Sequence, residues 1–135
     1  MGPAALRRVA RFGQGWAPIA TVEEVAAARP ALDAALEAAG RGGEDVDIYG
    51  RLFVDRGAAS GPPGAGVDYR GSARYAGAGE LLDVIGRWAE AGVTYMSVNT
   101  GQLHKSSINE VLDDARWFAE EVMTQARRIT PNPRA

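Results

Sequence analysis

Polar side chains that could bind an anion follow the last strand that the sequence predicts. Lys105, Ser106 and Ser107 precede a predicted helix, so an ammonium group, two hydroxyls and unsatisfied helix N–H groups could together hold a phosphate. The alternative is that Ser107 caps the helix and Lys105 is solvated. His104 could act as a general base, but that role needs a partner and a substrate within hydrogen-bond reach, and the sequence shows neither. A solvated loop histidine is the alternative for His104.

The carboxyl ends of three predicted strands supply the other candidates for a binding site. These ends fall at Trp16 and Pro18, at Val54 and Asp55, and at Asn99. Ligands of parallel α/β structures bind at the carboxyl ends of strands, so the sequence predicts a ligand site where these ends meet. Trp16 could contribute a stacking surface there, or it could pack in the core. The spacing of the chain shows no Ser/His/Asp arrangement for nucleophilic catalysis.

The composition restricts the class of protein. The chain has 135 residues, 46% of them apolar, which suits one domain with a single core. Fifteen Lys and Arg residues oppose seventeen Asp and Glu residues and are scattered, which argues against nucleic acid or an anionic membrane as the main partner. The absence of cysteine and the single histidine exclude disulfides and thiolate or multi-histidine metal sites. With no apolar run near the length of a membrane span, we predict a cytoplasmic protein.

The first third of the chain predicts two helices around a short strand. Pro3 suits a first helical position, and a left-handed glycine at Gly13 would end this helix before a buried strand over residues 16–19. Thr21 and Glu24 have capping-box spacing, which predicts a helix from there to residue 39, ended by Gly40. Pro30 falls inside this helix and predicts a kink or a restart. The apolar positions expected to face the core are Leu6, Val9, Ala10, Leu32, Ala35, Leu36 and Ala39.

The rest of the chain predicts two more strands and two more helices. Strands are expected over residues 46–54, where Gly50 would mark a bend or a close backbone approach, and over residues 94–99 as a buried strand. Residues 55–79 carry seven glycines and predict a long loop, either a flexible lid or a ligand loop. Helices are expected over residues 80–91 and from Ser107 to residue 127. The second of these has a predicted apolar stripe of Ile108, Val111, Leu112, Ala115, Phe118, Ala119, Val122 and Met123, with Asp113 and Asp114 as surface charge.

Alternation of helices and strands predicts an α/β fold. Strands that alternate with helices pair in parallel through right-handed crossovers. We therefore expect a parallel sheet in residues 1–128 and a disordered tail over residues 129–135, which hold Pro131 and Pro133.

Residues 5–16 read Ala-Leu-Arg-Arg-Val-Ala-Arg-Phe-Gly-Gln-Gly-Trp. This segment resembles one in the luciferase-like monooxygenases, a family of flavin- or coenzyme F420-dependent (β/α)8 barrel enzymes. In the family segment an Ala-Leu-Arg-Arg-rich helix runs into Asp-Gly-Trp, and Gln14 stands here where the family usually has Asp. Residues 89–93, Ala-Glu-Ala-Gly-Val, resemble the entry to the last barrel strand.

The resemblance implies a partial (β/α)8 TIM barrel, namely the last three βα units and the preceding helix. It implies FMN or coenzyme F420 as cofactor, and hydride transfer or oxygen insertion on a small organic substrate. The residues that it marks as cofactor-binding are Gly2, Trp16, Pro18, Asn99 and Gly101. Most catalytic residues of the family lie in the other half of the barrel, so the resemblance implies a chain that is inactive alone.

An open parallel sheet leaves two edges and an apolar inner face for a partner to cover. The partner would be a second copy in a homodimer, or a separate N-terminal half-barrel. A third expectation is that the chain starts late and lacks upstream coding sequence. The alternative function is then a non-catalytic half-barrel that self-associates or acts as an accessory subunit.

Overall fold

The fold is α/β and is described here from a computed structural model, for residues 2–55, 72–74, 77–100 and 107–131. Its elements, in chain order, are α1 (Pro3–Phe12), β1 (Gly15–Trp16), α2 (Val22–Ala38), β2 (Asp47–Asp55), β3 (Ser72–Arg74), α3 (Ala78–Glu90), β4 (Tyr95–Thr100), α4 (Ile108–Trp117), a π-helical turn (Phe118–Met123) and α5 (Thr124–Ala126). Within these ranges no helix has the length and apolar character needed to cross a membrane.

Helix α1 ends where the sequence predicts, but for a different reason. Gly13 follows the helix in an extended conformation, with φ −94° and ψ 151°, and not in the left-handed region. A Cβ on Gly13 would lie 3.0 Å from the carbonyl oxygen of Val9, so the position needs glycine because the backbone is crowded there. Two other helices do end at left-handed glycines, Gly40 after α2 and Gly92 after α3.

The long side chain of Arg41 completes the end of α1. One guanidinium nitrogen, Nη1, donates to the carbonyl oxygens of Ala10 at 3.0 Å and Gly13 at 2.7 Å. Nε of the same side chain donates to Glu44 Oε2 at 2.7 Å. The turn after α2 therefore satisfies carbonyls that the end of α1 leaves open.

Helix α2 confirms its predicted capping box. Thr21 Oγ1 accepts from the Glu24 backbone N–H at 3.2 Å, and Glu24 Oε2 accepts from the Thr21 N–H at 2.9 Å. The helix runs through Pro30 as one element, so the predicted restart is wrong. Leu32 and Leu36 are buried as expected, whereas Ala39 is exposed.

The four strands form a parallel sheet centred on β2. Strands β3 and β4 both pair with residues Phe53 and Val54, so they lie on opposite edges of β2. The Asp47 N–H donates to the Gln14 carbonyl next to β1, and the neighbouring Ile48 carbonyl accepts from the Thr94 N–H next to β4. Because successive residues of a strand direct their backbone groups to opposite edges, β1 lies on the edge that β3 shares. The three main strands therefore lie in the order β1, β2, β4, which is their order in the chain.

All helices in the described part of the chain pack on one face of this sheet. Ile48 of β2 packs with α1, α2 and α3 in one core cluster, and Leu52 packs with α3 and the π-helical turn in a second. A Cβ on Gly50 would lie 3.0 Å from Met96 Sδ and 3.1 Å from Val93 Cγ1, so glycine here leaves room for two side chains and not for the predicted close approach of another backbone. Alternate residues of β2, namely Tyr49 and Arg51, are exposed on the other face.

Three predicted elements differ in the structure. Only Gly15 and Trp16 form the first strand, and Ile19 is 71% exposed, because the chain leaves the sheet before α2. The predicted loop over residues 55–79 contains strand β3, while residues 56–71 lie outside the described part. The last strand was expected to be buried on both faces, but Tyr95 and Ser97 are exposed because none of the described helices covers that side.

The final helix was predicted as one regular element but contains a π-helical turn. Its start is as expected, since Ser107 Oγ accepts from the Glu110 N–H at 3.3 Å in a capping box. Only part of the predicted stripe is buried: Val122 is fully buried and Phe118 packs in the same cluster, whereas Ile108 is 68% and Leu112 46% exposed. Asp114, expected on the surface, is 6% exposed. The prediction is therefore confirmed for the later part of the stripe and wrong for Ile108, Leu112 and Asp114. The predicted tail is described as far as Pro131, and Ile129 in it is half-buried.

Candidate functional site

The uncovered face of the sheet, which we call the bare face, is the candidate site. It comprises Asp47, Tyr49 and Arg51 of β2 with Tyr95, Ser97 and Asn99 of β4. The register pairs Tyr49 with Tyr95, Arg51 with Ser97, and Phe53 with Asn99. The bare face therefore has four levels: Asp47 at the amino end of β2, the pair Tyr49 and Tyr95, the pair Arg51 and Ser97, and Asn99 near the carboxyl end of β4.

The tyrosine pair covers the level directly above Asp47. The rings of Tyr49 and Tyr95 stack with their centroids 5.1 Å apart and their planes at 18°, and they are 41% and 57% exposed. On the other side, the Tyr49 ring lies over Gly15 of β1, where an added Cβ would be 2.7 Å from Tyr49 Cε2. Glycine at position 15 thus allows the ring of Tyr49 to extend over the neighbouring strand.

Thr94 anchors the same end of the sheet. Its hydroxyl donates to Asp47 Oδ1 at 3.0 Å and accepts from the Ile48 N–H at 3.1 Å. The hydroxyl therefore joins the start of β4 to the start of β2, and it holds the carboxylate of Asp47 at the lower edge of the bare face.

Charges of opposite sign lie on either side of the tyrosine pair. Asp47 is two positions before Tyr49 and Arg51 is two positions after it, so all three belong to one face of β2. Arg51 is exposed and makes no ion pair with any other residue in the described ranges. The face can thus bind groups of either charge and an aromatic or apolar surface between them.

The register separates the predicted site residues. Trp16 pairs with Ile48 and Asn99 with Phe53, so they lie five positions apart along β2, or about 16 Å at the usual rise. Trp16 is 4% exposed and packs in the core beneath the sheet, whereas Asn99 is half-buried on the bare face. The structure therefore does not bring these two residues into one site.

The other predicted residues have separate positions. Trp16 and Pro18 line a groove of about 760 Å³ between α1 and α2. Gly2 is exposed and precedes α1 as its N-cap residue. Ser107 caps α4, which is the alternative to an anion site that the sequence also allowed. Gly101, His104, Lys105 and Ser106 lie outside the described residues, so the anion site and the general base stay predictions.

Sequence reasoning missed the residues of the bare face other than Asn99. The signal was available in β2, because Asp47, Tyr49 and Arg51 alternate with Ile48, Gly50 and Leu52 at the period of a strand with one covered face.

In the part of the chain that the structure describes, no three His, Cys, Asp or Glu side chains group as they would around a metal ion.

The chain was compared with protein-family models, with curated proteins and with solved structures, and none of the three comparisons gives a match.

Proposed function

We propose that this chain forms part of the wall of a luciferase-like (β/α)8 barrel that binds FMN or coenzyme F420 and serves in an oxidoreductase. The observation that supports it is the order of the strands. Of the four described strands, β1, β2 and β4 are parallel and lie side by side in the order in which they follow one another in the chain, with all described helices on one face. The three-residue strand β3 lies on the β1 edge and stands outside this order. A barrel requires the arrangement that β1, β2 and β4 have, whereas a doubly wound sheet reverses its strand order and has helices on both faces.

In such a barrel the bare face would be the inner wall. Barrel interiors are filled by layers of side chains, and active sites lie at the carboxyl ends of the strands. The tyrosine pair would then belong to the packed floor of the barrel, since Tyr95 is the first residue of β4. Asn99, two levels above, would lie nearest the site.

The exposed side of the last helix supports the same proposal. Ile108, Leu112 and Ala115 lie at helical spacing and are all exposed. An apolar stripe of this kind, next to the sheet edge formed by β4, suits a neighbouring helix in a ring of helices.

Asn99 is the candidate cofactor ligand whose position fits such a site. Its side-chain amide has both donors and an acceptor, which match the polar edge of a flavin or deazaflavin ring. The bound cofactor would supply the hydride-transfer or oxygen chemistry. The protein's own part would be to bind and orient the ring, with Asn99 at the carboxyl end and the tyrosine pair closing the floor beneath it.

Replacing Asn99 by alanine should weaken cofactor binding about tenfold, the effect of one lost hydrogen bond of ordinary strength. Titration of the chain with FMN, and with oxidised and reduced F420, followed by cofactor fluorescence, measures this. Ser97→Ala is the matched control, because Ser97 is exposed on the same strand and face, one level lower. We expect its dissociation constant to equal that of the parent chain.

Two outcomes contradict the proposal. The first is no binding of either cofactor by the chain at concentrations up to the millimolar range. The second is equal weakening by Asn99→Ala and Ser97→Ala, which would mean that the cofactor does not contact the carboxyl end of β4.

A second candidate function is a non-catalytic, self-associating or accessory subunit. It is supported by the exposed aromatic surface of the bare face, since Tyr49 and Tyr95 are large side chains that soluble domains usually cover. Light scattering of the purified chain tests it, because a monomer at high concentration that binds no other polypeptide argues against it.

A further inference from the structure

The bare face carries its charges in a self-complementary order. Asp47 and Arg51 lie on the same face of β2, two positions to either side of Tyr49. Consider a twofold axis that lies between two packed sheets and runs perpendicular to the strands at the level of Tyr49. It places Arg51 of each copy opposite Asp47 of the other. From this order we infer that a second copy of the chain covers the bare face, packed face to face with its strands antiparallel, so that Arg51 of each copy lies opposite Asp47 of the other.

The tyrosine pair suits the centre of this contact. Tyr49 and Tyr95 are on one level of the sheet, so the twofold axis passes over both, and each ring faces its counterpart in the other copy. Their exposed surfaces, 41% and 57% of each residue, become buried between two charge pairs. An apolar centre with a polar rim is the usual arrangement of a stable interface.

Charge order also selects the orientation of the second copy. In a parallel arrangement, with the twofold axis along the strands, Arg51 would lie on the same level as Arg51 of the other copy, and Asp47 on the level of Asp47. Like charges at the same level oppose association, whereas the antiparallel arrangement pairs opposite charges. The second copy therefore does not complete a parallel barrel but forms a two-layer sandwich.

This dimer and the closed barrel of the proposed function exclude each other on one molecule, because both cover the tyrosine pair; the dimer is the state of the chain when no other half-barrel covers the bare face. Asn99 is on the level of Phe53, four positions above Tyr49. The twofold axis places Asn99 of one copy opposite residue 45 of the other copy, which lies before β2 begins at Asp47. The carboxyl end of the bare face consequently lies beyond the sheet of the second copy, and cofactor binding there is measured independently of dimer formation.

Reversing the charges one at a time tests the pairing. Size-exclusion chromatography with light scattering should give the parent chain twice its mass of 14.3 kDa. Arg51→Asp and Asp47→Arg should each raise the dissociation constant of the dimer at least about tenfold, because each puts like charges together. The double variant, which restores opposite charges, should return to within about threefold of the parent.

Asp47→Arg also removes the hydrogen bond to Thr94, so thermal unfolding of every variant accompanies the mass measurement. A second measurement does not depend on that residue. The chain has no cysteine, so Tyr49→Cys introduces one thiol per copy, about 10 Å from its counterpart across two packed sheets. A bismaleimide of that reach should join two copies. Asn99→Cys is the control, since its counterparts would be about 26 Å apart and should not be joined.

Three results would overturn the inference: a parent chain that is monomeric at 0.1 mM or above, roughly the weak end of specific association; a double variant no tighter than its single parents; or cross-linking through Asn99→Cys in place of Tyr49→Cys. A chain that stays monomeric and binds a different protein through the bare face counts as the first of these results, and it too would overturn the inference.

Discussion

Replacing Ile48 by alanine should lower the free energy of unfolding by about 3–4 kcal/mol. Ile48 has no exposed surface, and it packs in the core cluster that joins α1, α2 and α3 to the sheet. Its backbone N–H and carbonyl also bond Thr94 at the start of β4. The substitution therefore leaves a cavity where three helices and two strands meet, and the rigid neighbours cannot close it.

Urea unfolding followed by tryptophan fluorescence measures this effect. Ile19→Ala is the matched control, since Ile19 is also an isoleucine but is 71% exposed, and its loss should change stability by no more than about 0.5 kcal/mol. Equal losses for the two variants would mean that the core is not centred on β2.

Replacing Arg41 by alanine should destabilise the chain by about 2 kcal/mol, because two carbonyl oxygens at the end of α1 lose a charged donor. The side chain is only 22% exposed, and its bonds to Ala10 and Gly13 join residues far apart in the chain. Arg41→Lys should recover only part of the loss, since an ammonium group lacks the planar fork that reaches both carbonyls and Glu44 together. The same unfolding assay measures both variants.

Glu44→Ala serves as the control for the ion pair alone. Glu44 is 52% exposed, so solvent screens its interaction with Arg41, and the variant should lose less than about 1 kcal/mol. If Glu44→Ala costs as much as Arg41→Ala, then the ion pair and not the capping of α1 carries the stabilisation.

Local signals predicted most of the elements correctly. Both capping boxes form as Thr21 with Glu24 and Ser107 with Glu110 predict, because these contacts lie within one helical turn. Strand β2 follows from the alternation of apolar residues about Ile48, for the same local reason.

Features that depend on distant residues were missed. The capping of α1 by Arg41 depends on how the turn after α2 approaches a helix about thirty positions earlier. The separation of Trp16 from Asn99 depends on strand register, which periodicity does not encode. The burial of Asp114 depends on which side of the last helix packs against the rest of the fold, which the spacing of apolar residues within that helix did not determine.

The π-helical turn over Phe118–Met123 has a consequence for how related sequences align with this one. A turn closed by hydrogen bonds five residues apart holds one residue more than a regular α-helical turn. Compared with a regular α-helix of the same sequence, the residues that follow the turn are therefore displaced by about 100° around the helix axis. A relative that lacks one residue here would form an unbroken α-helix with the same two ends. An alignment without a gap would then equate Val122, which is buried, with a solvent-facing neighbour, so a single-residue gap within this turn is the correct alignment.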